Sequence, residues 1–581
     1  MSSTYRNARF LRATVSLVAF AALAACSASS DAPAPPPAAA ASTPEPTTTT
    51  TTASGSLTAN QASRFLNQST FGPTDEAIAD IQSSGAEAWL LNEFNKRHES
   101  ILEDVLLAEA AGEDIGGDTL SEAFWTRAIQ SDDQLRQRVG YALSQLFVAS
   151  YADGGLEDRP IVMANYMDIM SAGAFGTYRQ LLENVTYSPA MAIYLTYLQN
   201  QKANDDNTVV PDENYAREIM QLFTIGLLEL NQNGELRLDG SGAPIETYDN
   251  DDVTELAKVF TGLSWGDRDR FFGRPENIRS EYLPLEMYDD EHATAPKRFL
   301  GVTVPGNTPG DASISIALDA LHNHPNTPPF IARQLIQRLV TSNPNADYVG
   351  RVAAAFRAGS YTLPSGQPVG SGARGDMRAV VAAILFDEDA RNDANMTDPT
   401  FGKLKEPVLR FTQWARAFGV TDTDTDDNSV DDLNDTRSPN RLNQQAYRSP
   451  SVFNFYRPGF VSPGSESAAA GLVAPELQIT TASSVTGYVN FMDRFIRGDV
   501  DGQDFAPDYT AEIALAGNPA SLVDSLNNKL AYGALRAETR QRAIDAVTAI
   551  TSGNDGFTRD EVRVHTAILF IMASSDYIIS R

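Results

Sequence analysis

The chain holds one cysteine in 581 residues, at position 26, ahead of everything long enough to fold into a large core. That excludes a disulfide framework, a cysteine-ligated zinc centre and a thiolate nucleophile in the domain downstream. Histidine is scarce as well: His98, His292, His322, His324 and His565 are the whole supply. Basic residues are outnumbered, 45 Lys and Arg against 75 Asp and Glu, for a net charge of −30. A surface of that sign repels phosphate backbones, so nucleic acid is set aside as a partner. Long apolar runs are missing too. The one at Ala13–Ala22 is interrupted by Thr14 and Ser16 and is too short to span a bilayer comfortably. Long alternating strand patterns are few, and no internal repeat is visible.

The first feature present is a leader. Arg6, Arg9 and Arg12 precede the apolar run, and Leu23-Ala24-Ala25-Cys26 closes it. A charged start, a short apolar stretch and small residues at the cut mark residues 1–25 as a secretory signal. Leu-Ala-Ala-Cys resembles the lipobox of bacterial lipoproteins, in which the cysteine is lipidated on sulfur and acylated at the new amino terminus. The resemblance implies a membrane anchor at Cys26, carrying palmitate-type chains. Ser27, rather than Asp, after the cysteine implies sorting to the outer membrane. Several acyl chains on one residue attach stably where a single chain is marginal. Residues 26–56 then read as a tether: they are rich in Pro, Ala, Ser and Thr, with only Asp31 and Glu45 charged. Such a segment cannot bury a core. At roughly 3.1 Å per residue it reaches up to about 90 Å.

From residue 57 to 581 the pattern predicts one large, mainly α, multi-helix domain with small β-hairpin excursions. Leu135, Val139, Ala142, Leu143, Leu146 and Phe147 carry an amphipathic helical period, and Tyr215, Ile219, Leu222 and Phe223 repeat it. Thr327-Pro328 predicts a helix start with Thr as its cap. Asn233-Gly234, between Leu228–Leu230 and Leu236–Leu238, predicts a hairpin.

Several short motifs match catalytic patterns without their context. Gly262-Leu263-Ser264-Trp265-Gly266 fits G-x-S-x-G, yet a helical pattern precedes it, where a nucleophile needs a strand-to-helix elbow. Gly370-Ser371-Gly372-Ala373-Arg374-Gly375 fits G-x-G-x-x-G without a βαβ unit around it and reads as a loop before a helix at Met377. Asp422, Asp424 and Asp426 have the spacing of a calcium loop, but Asp427 stands where glycine is needed and Leu433 where glutamate is needed. They remain an acidic loop with room for a loose calcium ion. His322 and His324 would share a metal if the chain is extended there, or cap and pack a helix end. His565 reads as structural. In Asp212-Glu213-Asn214-Tyr215-Ala216-Arg217-Glu218, Asp212 can cap a helix and Glu213 can pair with Arg217 four residues on. Glu213 and Glu218 diverge by more than one face, so an acid/base pair there needs groups from elsewhere.

These stretches together resemble the bacterial exported family called "domain of unknown function 1800". The residues that carry the likeness are "ASRFLNQSTFGPT" (Ala62 to Thr74), "RVGYALSQLFVAS" (Arg138 to Ser150), "DENYAREIMQLFTIG" (Asp212 to Gly226), "NHPNTPPFIARQLIQRLVTSNP" (Asn323 to Pro344), "FGKLKEPVLR" (Phe401 to Arg410) and "SPSVFNFYRPGF" (Ser449 to Phe460). The family's helix motif commonly begins Asn-Glu-Asn-Tyr-Ala-Arg-Glu; here Asp212 replaces the first Asn. Its His-Asp, before Lys and Phe-Leu-Gly, is here His292-Ala293, then Lys297 and Phe299-Leu300-Gly301, so His292 lacks that acidic partner. His324-Pro325 matches its His-Pro. The resemblance implies an exported helical protein with no assigned activity, whose genes often neighbour those of the exported "domain of unknown function 1501" family.

Two functions fit. In one, the chain is a lipid-anchored envelope protein, an accessory or binding partner of another exported protein, with Phe453, Phe455 and Tyr456 either as recognition aromatics or as a core plug. In the other it is an envelope hydrolase assisted by a divalent metal. Glu213, Glu218, His292 and His324 would then be ligands or acid/base groups, and Arg217 and Lys297 would hold an anion.

Overall fold

The computed structural model describes residues 57–206, 208–422, 431–498, 505–554 and 556–581. The described residues belong to one compact unit. Helices dominate it, and the sheets among the described residues are antiparallel two-stranded pairs. The mainly α expectation therefore holds. No helix of the described residues is long and apolar enough to cross a membrane.

The helices begin where the sequence supplies caps. Thr58 and Thr558 each close a capping box with the side chain three residues on. Thr327 departs from the cap predicted for it. It is the first residue of the Thr327–Leu339 helix, because its hydroxyl donates to Leu321 O of the preceding helix.

The Gln134–Ser144 helix departs from its expected amphipathic form. Of its residues only Arg136 is not buried. One side packs Leu135, Val139 and Leu143 into the core, while Arg138, Tyr141 and the following Gln145 feed a buried polar centre described below. It crosses the Pro160–Gly173 helix at Gly140, where an added Cβ would lie 2.7 Å from Ser171 Cα, so only glycine allows the approach. Thr327–Leu339 packs on Ala346–Ala358, and Arg559–Met572 packs on both Pro519–Ala531 and Ala537–Thr548. One continuous hydrophobic core joins these groups. The Asn233-Gly234 turn forms, with Gly234 N donating to Asn231 O and φ at +80°. It is closed by a single bridge between Leu230 and Leu236, not by a ladder.

Candidate functional site

Three of the stretches named above converge on one groove of about 610 Å³. Gln221, Leu222 and Gly226 come from the end of the Asn214–Gln221 helix and its continuation; Phe330, Arg333 and Gln334 come from the Thr327–Leu339 helix; Phe453, Arg457 and Phe460 come from the Ser449–Phe460 loop. Gly226 has φ at +70°, and a Cβ there would lie 2.9 Å from the Phe330 ring. The lining is largely apolar, and Leu227 is left 53% exposed on its edge. Two cations stand over it. Arg457 lies 4.7 Å above the Phe453 ring. Arg333 is exposed at the rim, yet the protein around its guanidinium desolvates it and lowers its pKa, with no acidic neighbour offsetting this. Among the described residues neither guanidinium has a carboxylate partner, although the chain carries a large acidic excess.

The wall of this groove is pinned by a buried amide. Asn326 donates to Ile225 O at 2.6 Å and Leu228 O at 2.9 Å, and accepts from Leu230 N at 2.6 Å. His324 Nδ1 in turn accepts from Asn326 N at 3.2 Å, which makes His324 a positioning residue for that turn. Burial holds the His324 pKa below the usual histidine value, so the ring is neutral, as an acceptor must be. Truncating Asn326 leaves three backbone groups without their partner. Asn326→Ala is expected to cost about 2–4 kcal/mol and to speed amide exchange across Ile225–Leu230 first. Hydrogen-exchange mass spectrometry reads this. Exchange that rises uniformly, or not at all, would contradict the pinning role.

The polar helix motif divides. Glu213 precedes the Asn214–Gln221 helix and pairs with Arg217 at 3.3 Å, as its spacing predicts, and also accepts from Thr254 Oγ1 at 2.8 Å. Asp212 accepts from Asn214 N at 2.8 Å and from Thr196 Oγ1 at 2.9 Å. Glu218 turns inward and is buried, with Oε2 lacking a hydrogen-bond partner. Burial raises its pKa, and the Arg217 charge opposes the rise.

His292 and Lys297 do meet. His292 Nδ1 donates to Thr261 O at 2.8 Å, which assigns the proton to that nitrogen. Nε2 then accepts from Lys297 Nζ at 3.1 Å and Ser313 Oγ at 3.2 Å. Thr261, Lys297 and Ser313 are thus the partners of the His292 ring. Lys297 is 0% exposed. Burial pulls its pKa down to about 8 against the opposing charge of Glu255. An unfolded lysine keeps its proton to about 10.5, so between these values the unfolded chain binds more protons and stability rises with pH. Lys297→Met is expected to remove this rise and to add about 2–3 kcal/mol at neutral pH. Urea denaturation at neutral and alkaline pH measures it. Equal pH profiles for the two proteins would refute the assignment.

The remaining candidates separate. His322 is buried against Phe356, and burial lowers its pKa to about 4. His98 bonds Ser171 Oγ at 2.7 Å, and His565 packs between the Tyr509 and Phe557 rings. Among the described residues no three of His, Cys, Asp and Glu group closely enough to hold a metal ion. Ser264 is buried in the Leu263–Ser264 strand and donates to Phe271 O, so G-x-S-x-G does not form an exposed elbow. The Gly370–Gly375 loop follows an antiparallel two-residue strand and leads into the helix at Met377, without a βαβ unit. Of the loop aromatics Tyr456 is buried, while Phe453 lines the groove. Asp422 ends a two-residue strand. Asp424, Asp426 and Cys26 lie outside the described residues.

Sequence reading passed over a buried ionic centre built from the same stretches. Glu406 is 0% exposed and accepts from Tyr141 Oη at 2.8 Å, Gln145 Nε2 at 2.5 Å and Gln444 Nε2 at 2.7 Å. Lys403 Nζ lies 3.7 Å from Glu406 and 3.3 Å from buried Glu476, and donates to Arg338 O at 2.9 Å. Arg138 Nη2 donates to the same carbonyl at 2.6 Å. Burial alone would raise the Glu406 pKa; the charges of Lys403 and Arg138 and its donors outweigh burial and hold it below the usual glutamate value. The available signal was the set Arg138, Tyr141 and Gln145, at helical spacing among apolar neighbours.

Fold and groove together define a mainly helical protein with a concave, preformed apolar site topped by cations. The chain belongs to the family described as "Protein of unknown function (DUF1800)", whose sequence profile matches residues 64–579. No curated protein and no solved structure matches it.

Proposed function

We propose that the chain is a lipid-anchored cell-envelope protein that binds an acyl chain bearing an anionic head, as an accessory to another exported protein. The observation that carries this reading is the apolar groove with Arg333 and Arg457 unpaired above it. Preformed concave apolar sites with a few polar groups are the usual form of ligand sites. Unpaired guanidinium groups at such a rim select a carboxylate or phosphate. The leader, Cys26 and the tether of residues 26–56 support anchoring at the outer membrane, with the domain held on a reach of about 90 Å. An exported partner of the "domain of unknown function 1501" family is consistent with the gene neighbourhood implied above. The metal-assisted hydrolase has no comparable support: Glu213, His292 and His324 are engaged in separate local networks, and Glu218 is buried with Oε2 unpartnered.

Two measurements test this. Palmitate labelling of cells is expected to mark the full chain in the outer-membrane fraction and to leave Cys26→Ala unmarked; label on both, or on neither, would refute the anchor. Dodecanoate and a lysophospholipid titrated onto the protein distinguish a free acyl carboxylate from a membrane lipid as occupant. Failure of both to bind would remove the groove reading.

A further inference from the structure

The ionic centre around Glu406 holds more positive charge than it neutralises. Arg138, Arg338, Lys403 and Arg410 share two carboxylates, Glu406 and Glu476, among the described residues, and Lys405 is buried near Arg410 with neither. Glu406 gives Oε2 to its three donors and holds Oε1, without a hydrogen-bond partner, 3.7 Å from Lys403 Nζ, while Glu476 lies 3.3 Å from the same ammonium. Neither carboxylate lines the small cavity beside Lys403. That cavity, of about 10 Å³, is walled by Arg138, Lys403, Lys405, Thr70, Gln413 and Ser580. Arg138 Nε and Nη1 are buried there without any hydrogen-bond partner. Lys405 is buried with Gln413 Oε1 at 2.6 Å and the Tyr577 ring at 3.6 Å around Nζ, without a carboxylate at ion-pair distance among the described residues, and burial pushes its pKa well below the usual lysine value.

Buried charges without counter-charges are costly, and cations are seldom left so. We infer that this cavity is a binding site for a single monoatomic anion, chloride under ordinary conditions, held between Arg138, Lys403 and Lys405. The space admits one small sphere, which excludes phosphate, sulfate and carboxylates. The anion supplies the acceptor that Arg138 Nε and Nη1 lack and favours the charged form of Lys405, which burial alone opposes. It also ties the Arg138 helix, the Phe401–Arg410 stretch and the end of the chain at Ser580 into one electrostatic unit. The site is independent of the groove, and its loss would leave the ligand reading untouched.

The test is thermal unfolding of the full chain with chloride exchanged for gluconate at constant ionic strength. The midpoint is expected to climb with the logarithm of chloride concentration, as for any ligand bound only by the folded state. Bromide is expected to substitute and to give one anomalous-scattering peak between Arg138 and Lys405 in crystals. Lys405→Met is expected to abolish the chloride dependence. Identical midpoints in chloride and gluconate, no bromide peak, or a chloride effect that survives Lys405→Met would each overturn the proposal and assign the cavity to water. The bromide measurement needs only the unaltered protein, so it decides even if the variant does not fold.

Discussion

Replacing Glu406 with leucine is expected to cost about 3–5 kcal/mol, enough to unfold much of the protein at moderate urea concentrations. The cost comes less from the lost hydrogen bonds than from what stays behind. Lys403 and Arg138 would remain buried beside an apolar side chain, and Tyr141, Gln145 and Gln444 would each lose an acceptor. Removing one member of a buried pair is costly; removing the pair is not. The double replacement Glu406→Leu with Lys403→Met is therefore expected to recover part of the loss, and the non-additivity measures the coupling. Urea unfolding followed by tryptophan fluorescence gives both quantities. A loss below about 1 kcal/mol for the single change would show that the centre is open to water.

The second large effect concerns ligand affinity. Arg333→Ala is expected to weaken dodecanoate binding by about 10–100-fold, the loss of one charge-assisted contact in a partly desolvated site. The stability of the fold should barely move, because Arg333 makes no ion pair among the described residues. Arg457→Ala should act in the same direction, with an added effect from loss of its stacking on Phe453. An uncharged ligand of equal length should bind both variants as well as it binds the parent. Equal loss for charged and uncharged ligands would mean that the arginines shape the groove and do not read the charge.

Helical class and several starts and stops were legible in the sequence, because they rest on local rules. The Glu213–Arg217 pair and the Asn233-Gly234 turn are set by spacing within a few residues. The site was legible only in pieces. His292 and Lys297 stood out, yet the partners of His292, Thr261 and Ser313, lie 31 and 21 residues from it and carry no local mark. For His324 the sequence leaves a shared metal or a helix-end capping and packing role; its neighbour in the structure is Asn326, in the same turn. Arg138, Glu406 and Glu476 carry no local mark of burial in the sequence, since burial of a charge depends on partners far away along the chain. The 134–144 helix forms with its apolar period in the core, but its polar side faces other buried polar groups instead of solvent.

The most direct measurement on the groove is calorimetric titration of the same protein with dodecanoate and with dodecanol. The expected result is one-to-one binding of dodecanoate, with dodecanol at least about tenfold weaker, because only the carboxylate answers Arg333 and Arg457. Equal affinity for the two, or no binding of either, would contradict an acyl-anion site in this groove.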